Sequence, residues 1–314
     1  MLAQNLITLR ELTSQEILNL FRDAAEFKKA RAQGKSRPKP LAGKIVGLLF
    51  EKPSVRTRVS FEVGAALLGG QTLYFGPVEL QQGKRESAKD VARVLSRYLD
   101  AMVVRTFKHE DVEETARYSS VPVINGLSDD SHPCQALADL FTVQEKWGRL
   151  KTIRIAYIGD GNNVCHSLME GCALLGAHLT VATPRGFSPR PEVQRWAKDQ
   201  ARRTGSRLIL TGNPRTAARG AQVIYTDVWT SMGQETQMER RRKQFAAFQI
   251  NRSLMRLADP KAIFLHCLPA HRGQEVTDEV MDSAQSVIYD QAENRLYVQM
   301  ALLMKLLTRP KRRA

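Results

Sequence analysis

The chain has 314 residues, enough for two domains of ordinary size. Hydrophobic residues make up 43% and charged residues 25%, a globular balance that excludes disorder, collagen and coiled coil, and no apolar run approaches the roughly 20 residues of a membrane span. A net charge of +15 favours anionic partners, either nucleic acid or small phosphorylated and carboxylated substrates.

In chain order, Thr13-Ser14-Gln15-Glu16 has the form of a capping box and opens a helix with Ile17, Leu18, Phe21 and Ala25 on one stripe. The apolar run 44–50 reads as a buried strand, followed by a polar turn and a helix over 59–68 closed by Gly69-Gly70. Further strands are expected at 72–75, 101–105, 121–124, 153–158, 179–182, 223–226 and 263–266. Helices are expected between them at 88–98, 112–118, 135–147, 167–175 and 191–204. A last amphipathic segment, 292–307, carries Leu296, Met300, Leu303 and Leu307 along one face. Strand alternating with helix is the signature of a parallel sheet covered on both faces. The fold class expected is α/β: two doubly wound domains with mainly parallel central sheets and an active site in the interdomain cleft. Residues 1–148 would form the first domain and 149–291 the second, with a C-terminal helix at about 292–308 packing back on the first.

The basic surplus gathers at Arg202-Arg203, at Glu239-Arg240-Arg241-Arg242-Lys243 and in the tail Arg309-Pro310-Lys311-Arg312-Arg313. None of these runs is interleaved with aromatics, so they read as solvated helix faces and a tail, and no nucleic-acid partner is expected. The four cysteines are scattered without a C-x-x-C pair, which suggests neither a zinc site nor a redox motif. The opening residues show neither a secretory nor a transit pattern, and a cytoplasmic location is expected.

Chemistry concentrates at strand ends. After the strand at 44–50 comes Ser54-Val55-Arg56-Thr57-Arg58, and a helix begins at once. The first N–H groups of a helix lack internal partners and sit at its positive end, so this turn attracts anions. Arg56 and Arg58 add planar forks that match phosphate oxygens, and Ser54 and Thr57 add hydroxyls. The Walker A string is absent. Arg105 ends one strand, and His132-Pro133-Cys134-Gln135 follows another and opens a helix. In doubly wound sheets those ends face the ligand crevice.

In the second half, Gly159-Asp160-Gly161-Asn162-Asn163-Val164 imitates a dinucleotide fingerprint but has Val164 at the third glycine, and no acidic residue follows for a ribose. Nicotinamide binding is therefore not expected. Strands 223–226 and 263–266 run into Asp227-Val228-Trp229-Thr230-Ser231-Met232-Gly233 and His266-Cys267-Leu268-Pro269. With Asn163 these offer a carboxylate for an ammonium and polar groups for a carboxylate, a composition suited to a zwitterionic amino acid.

Taken together these motifs resemble the aspartate/ornithine carbamoyltransferase family. The likeness runs from the first helix to Gln291-Ala292-Glu293-Asn294-Arg295. The family's S-T-R-T-R stands here as Ser54-Val55-Arg56-Thr57-Arg58, with Val55 for Thr, and its H-P-x-Q is intact at His132-Pro133-Cys134-Gln135. The D-x-W-x-S-M-G and H-C-L-P signatures resemble the ornithine branch rather than the aspartate branch. The resemblance implies transfer of a carbamoyl group from carbamoyl phosphate to the δ-amine of L-ornithine, giving L-citrulline in arginine biosynthesis. It implies carbamoyl phosphate contacts from Ser54, Val55, Arg56, Thr57, Gln81, Arg105, His132, Pro133, Cys134, Gln135, Cys267, Leu268 and Arg295. Gln81 would reach carbamoyl phosphate from a neighbouring subunit. Ornithine would be held by Asn163, Asp227, Ser231 and Met232. The catalytic groups implied are Cys267, Arg105, His132 and Asp227, and Arg56 with Arg58 would neutralise the departing phosphate. No metal and no cofactor are expected, no membrane partner, and a homotrimer or a multiple of trimers. Two other readings stay open: a sister transferase acting on putrescine or a modified ornithine, and a basic nucleic-acid-binding protein on the same scaffold.

Overall fold

The computed structural model describes residues 4–35, 38–80, 86–230, 236 and 238–308. They form two compact units, one built from the residues up to Leu137 together with those from Glu293 onward, the other from Ala138–Ala292.

The first unit contains α1 (Ser14–Ala32), β1 (Ile45–Phe50), α2 (Val55–Leu67), β2 (Gln71–Phe75), α3 (Pro77–Leu80), α4 (Ala88–Leu95), β3 (Ala101–Arg105), α5 (His109–Tyr118), β4 (Val123–Leu127) and the start of α6 (Pro133–Trp147). Its four strands pair in parallel in the order β2-β1-β3-β4. The chain leaves β1 for a neighbour on one side and later returns to pair on the other, which puts the switch point between β1 and β3. Ligands of doubly wound sheets bind at the carboxyl ends of such a pair. Leu49, Met102, Val104, Val112 and Val123 pack into one core cluster. Within β1, Gly47 lets Leu99 pack close: a Cβ there would lie 2.4 Å from Leu99 Cδ1, which would have to move.

The second unit contains β5 (Arg154–Ile158), α7 (Asn163–Leu175), β6 (His178–Ala182), α8 (Pro191–Thr204), β7 (Leu208–Thr211), α9 (Pro214–Ala218), β8 (Val223–Thr226), α10 (Met238–Phe245), α11 (Arg252–Met255), β9 (Ile263–His266), α12 (Asp278–Met281) and the start of α13 (Ile288–Leu307). Five parallel strands run β7-β6-β5-β8-β9, with the switch point between β5 and β8. Ile158, Ala182, Ile224 and Phe264 anchor its core.

Several elements depart from the sequence expectation. The buried stripe of α1 is Ile17, Leu20, Phe21, Ala24 and Phe27, while Leu18 and Ala25 face outward. The capping box fixes the start but not the phase, which follows the i, i+3, i+4, i+7 set that best covers the core. Helix α2 begins at Val55, four residues early, because Ser54 caps it. Strand β7, a short, half-exposed edge strand, has no counterpart in the sequence expectation, and α10, expected only as a solvated basic helix face, buries Arg241 and Phe245. Among the described residues no helix is long and apolar enough to cross a membrane.

Candidate active site

In the first unit the polar groups gather beyond β1, β3 and β4. Ser54 adopts extended backbone (φ −160°) and its Oγ accepts from the Thr57 N–H at 3.3 Å, so one orphan donor of the helix start is satisfied. Val55, the first residue of α2, is 78% exposed, so its replacement of a threonine adds no methyl to the core. Thr57 is buried, and its Oγ1 accepts from Arg295 Nη2 at 2.8 Å. Arg295 Nη1 donates to Gln135 Oε1. One arginine from α13 thus joins the α2 turn to the start of α6. Arg105, also buried, donates from Nε to the Lys52 carbonyl at 3.0 Å, and its own carbonyl accepts from Glu51 N at 2.8 Å. These bonds tie the loop after β1 to the end of β3.

His132 lies inside this cationic ring. Burial, followed by Arg295, Arg105, Lys52 and Arg56, holds its pKa well below the usual 6.5. The imidazole is therefore neutral at physiological pH and can donate a hydrogen bond without adding charge. Lys52 is itself buried, with Nζ 5.2 Å from the Phe107 ring centre. Cys134 turns into the core, its thiol 3.5 Å from the Asn125 carbonyl, and burial pushes it up to about 12; Pro133 supplies the first turn of α6. Arg58 departs from expectation. It is exposed, bonds Glu62 on its own helix at 2.9 Å and stacks 3.8 Å over Tyr74 of β2, so its charge is already engaged.

In the second unit the turn after β5 meets the ends of β8 and β9. Gly159 has φ +153°, and a Cβ on Gly161 would lie 2.3 Å from Pro189 N. Both glycines of the imitation fingerprint are thus needed for local geometry. Asn162 caps α7: its Oδ1 accepts from Val164 N, Cys165 N and Tyr157 OH, each at 3.1 Å. Its Nδ2 donates to Asp227 Oδ2 at 2.7 Å, and Cys267 Sγ donates to Asp227 Oδ1 at 2.9 Å. Both carboxylate oxygens are engaged, and Asp227 is 5% exposed. Asn163 begins α7, its Oδ1 accepting from Val164 N at 2.9 Å.

The turn after β9 is held just as firmly. Leu268, at φ +59°, donates its N–H to His266 Nδ1 at 2.9 Å. Accepting there leaves the proton on Nε2, which donates to the buried Glu275 Oε1 at 3.2 Å. His266 N also donates to Gln291 Oε1 at 2.9 Å, and Gln291 Nε2 donates to Asp139 Oδ1 at 2.6 Å. A left-handed leucine costs of order 1 kcal/mol or more, and this buried polar network over-determines it. Among the described residues, Asp227, His266 and Cys267 are a group close enough to share a cation, their donor atoms lying within 4.8 Å of one another. Hydrogen bonds already engage both imidazole nitrogens and both carboxylate oxygens, so the geometry matches a proton network better than a metal centre.

Three expected site residues, Gln81, Ser231 and Met232, lie outside the described residues. Two participants were missed. Asn162 looked like a turn residue, yet its spacing before an apolar helical run is an N-cap signal. The basic run around Arg241 has the composition of a solvated face, yet Arg241 is 5% exposed. It donates to the Trp229 carbonyl and to Asp160, and lies 4.7 Å from the Phe187 ring centre. Burial pushes Asp160 up to about 6, against the pull of Arg241. Only the sequence position of Arg241, four residues before Phe245 on the buried side of α10, hints at this.

The arrangement is that of an α/β enzyme with buried arginines at one switch point and a buried, hydrogen-bonded carboxylate at the other. Residues 4–145 match the aspartate/ornithine carbamoyltransferase carbamoyl-P binding domain, and residues 151–306 match the Asp/Orn binding domain of the same family. The chain belongs to the aspartate/ornithine carbamoyltransferase family. It is 51% identical to an ornithine carbamoyltransferase of Pyrococcus horikoshii over 97% of this chain and 96% of that one. It is likewise 51% identical to an anabolic ornithine carbamoyltransferase of Pyrococcus furiosus over 96% and 95%. A solved ornithine carbamoyltransferase structure from Pyrococcus furiosus superposes with a TM-score of 0.95 at 50% identity, covering 98% of each chain.

Proposed function

We propose that this chain transfers the carbamoyl group of carbamoyl phosphate to the δ-amine of L-ornithine, giving L-citrulline and phosphate in arginine biosynthesis. The observation that carries the reading is the opposite character of the two switch points: buried arginines around a neutral histidine at one, a buried aspartate bonded to a thiol at the other.

Carbamoyl phosphate is held by Ser54, Arg56, Thr57, Arg105, His132, Gln135 and Arg295, with Gln81, Cys267 and Leu268 completing the set. The backbone at Val55 and the helix-opening Pro133 and Cys134 contribute shape rather than charge. Ornithine is held by Asn163, Asp227, Ser231 and Met232. A lysine-like amine has a pKa near ~10.4 and is mostly protonated in water, so attack requires loss of one proton. Asp227 binds the ammonium and, with Cys267, orients the neutral amine. The amine nitrogen bonds to the carbamoyl carbon and the carbon–oxygen bond to phosphate breaks. The first proton of the ammonium goes to solvent before attack; phosphate leaves with that electron pair and takes the second proton, which the nitrogen sheds as it becomes part of the urea group. Arg105 and neutral His132 donate to the carbonyl oxygen as it gains charge, a contribution of roughly 3–4 kcal/mol per good donor. Arg56 and Arg295 stabilise the departing phosphate.

The division expected from sequence, 1–148 for carbamoyl phosphate and 149–291 for ornithine with the helix at about 292–308 returning to the first, belongs to this reading, as do a trimer-based assembly and a cytoplasmic location. Citrulline formation measured in parallel with ornithine, putrescine, aspartate and N-acetylornithine tests it. Turnover with ornithine alone is expected, and preference for any other amine would overturn the assignment.

A further inference from the structure

We propose that Asn162 is a positioning residue: it sets the orientation in which the Asp227 carboxylate accepts the substrate amine, and the buried Tyr157 hydroxyl sets Asn162. This inference deepens the reading above and rests on it.

The amide orientation of Asn162 is forced. Its Oδ1 is surrounded by three donors, Tyr157 OH, Val164 N and Cys165 N, all at 3.1 Å. The opposite amide orientation would turn an NH2 toward all three, so Nδ2 must point away from the helix start, and it donates to Asp227 Oδ2 at 2.7 Å. Tyr157 is fully buried on β5, the strand that pairs with β8, and Asp227 follows the last residue of β8. The chain of contacts Tyr157, Asn162, Asp227, Cys267 therefore crosses the switch point from strand to strand. Asp227 is left two definite positions, one oxygen on Asn162 and the other on Cys267. An incoming ammonium must meet a carboxylate already fixed in rotation.

Asn162→Asp separates this role from capping. Aspartate caps a helix as well as asparagine does, so the start of α7 is kept, but the amide donor facing Asp227 becomes a second carboxylate. The titratable groups facing Asp227 are Tyr157 from β5, Asp160 from the following turn, Cys165 from α7, Tyr225 from β8, and His266 and Cys267 from the end of β9. None of them changes in the variant.

The measurement is steady-state citrulline formation by the full chain, with each substrate varied in turn across pH 5.5 to 9, alongside thermal melting. For Asn162→Asp, kcat/KM for ornithine is expected to fall roughly 100-fold, from one lost hydrogen bond to a charged acceptor. The KM for carbamoyl phosphate should stay within about twofold and the melting midpoint within about 3 °C, since the cap survives. The acid limb of the ornithine profile should move up by about one pH unit, because two facing carboxylates share a proton. Tyr157→Phe, a near-isosteric change that keeps the cap, should lose about 3- to 10-fold in the same constant without moving that limb. Equal losses for both substrates with an unmoved pH profile, or an ornithine constant unchanged in both variants, would overturn the proposal alone. Failure of the unaltered protein to form citrulline would overturn the functional reading and this proposal with it.

Discussion

The charges that most lower the His132 pKa are cationic, from Arg295, Arg105, Lys52 and Arg56. Around Tyr157 the acting groups are Asp227, Asp160 and two thiols. The same burial therefore produces opposite results. In the first unit it removes a charge from a histidine that the arginines already disfavour. In the second it keeps the tyrosine and Cys165 protonated next to carboxylates. The contrast teaches that a doubly wound sheet supplies only the place, the carboxyl ends of two strands at a switch point. The side chains of the flanking turns decide whether that place receives a dianion or an amine.

The strongest way to break the contrast is Arg105→Ala, which in the proposed reading removes a donor to the carbonyl oxygen of carbamoyl phosphate. Steady-state assays should show kcat/KM for carbamoyl phosphate falling between roughly 10³- and 10⁴-fold. Unchanged turnover would place the cationic site elsewhere. Next is Arg241→Gln, which leaves Asp160 buried without its cation. Chemical denaturation should report a loss of about 3–4 kcal/mol, whereas Arg240→Gln or Arg242→Gln on the exposed faces of α10 should cost under about 0.5 kcal/mol. Asp227→Asn sharpens the comparison from the amine side: ornithine kcat/KM should drop on the order of 100-fold with little change in KM for carbamoyl phosphate. Equal damage to both substrates would contradict the separation.

A fourth test concerns pH. His132 is depressed in the fold but ordinary when unfolded, so below pH 6.5 the unfolded chain binds a proton that the native one refuses. Its contribution is thus a stability lost as pH falls, about 1 kcal/mol between pH 6.5 and 5.5. Denaturation curves of His132→Gln should lack that increment, and an identical acid sensitivity would show that the ring is not held neutral. The smallest effect is Arg58→Ala. An exposed ion pair and a ring contact should give less than about 1 kcal/mol and leave kcat within twofold.

Much of this was legible in the sequence because strand ends are punctuated by chemistry. Ser54, Arg105, Asn163, Asp227 and Cys267 could be placed at carboxyl ends from alternation and turn residues alone. Arg58 and Arg241 were legible only as charges. Two arginines of equal sequence character behave oppositely, one stacked outside on Tyr74 and one enclosed by Phe187, because tertiary packing decides which face of a helix is inward. Asn162 escaped for a related reason. A cap and a carboxylate clamp look alike until the strand carrying Asp227 is seen beside it.

Asn162 also limits what the second sheet can be adapted to hold. Restoring a third glycine by Val164→Gly would complete the string of a dinucleotide fingerprint, but the first free amides of α7 already rest on an asparagine oxygen. A pyrophosphate grafted there would find its docking point occupied. Retargeting this scaffold to a nucleotide would have to begin by evicting Asn162, not by adding glycine.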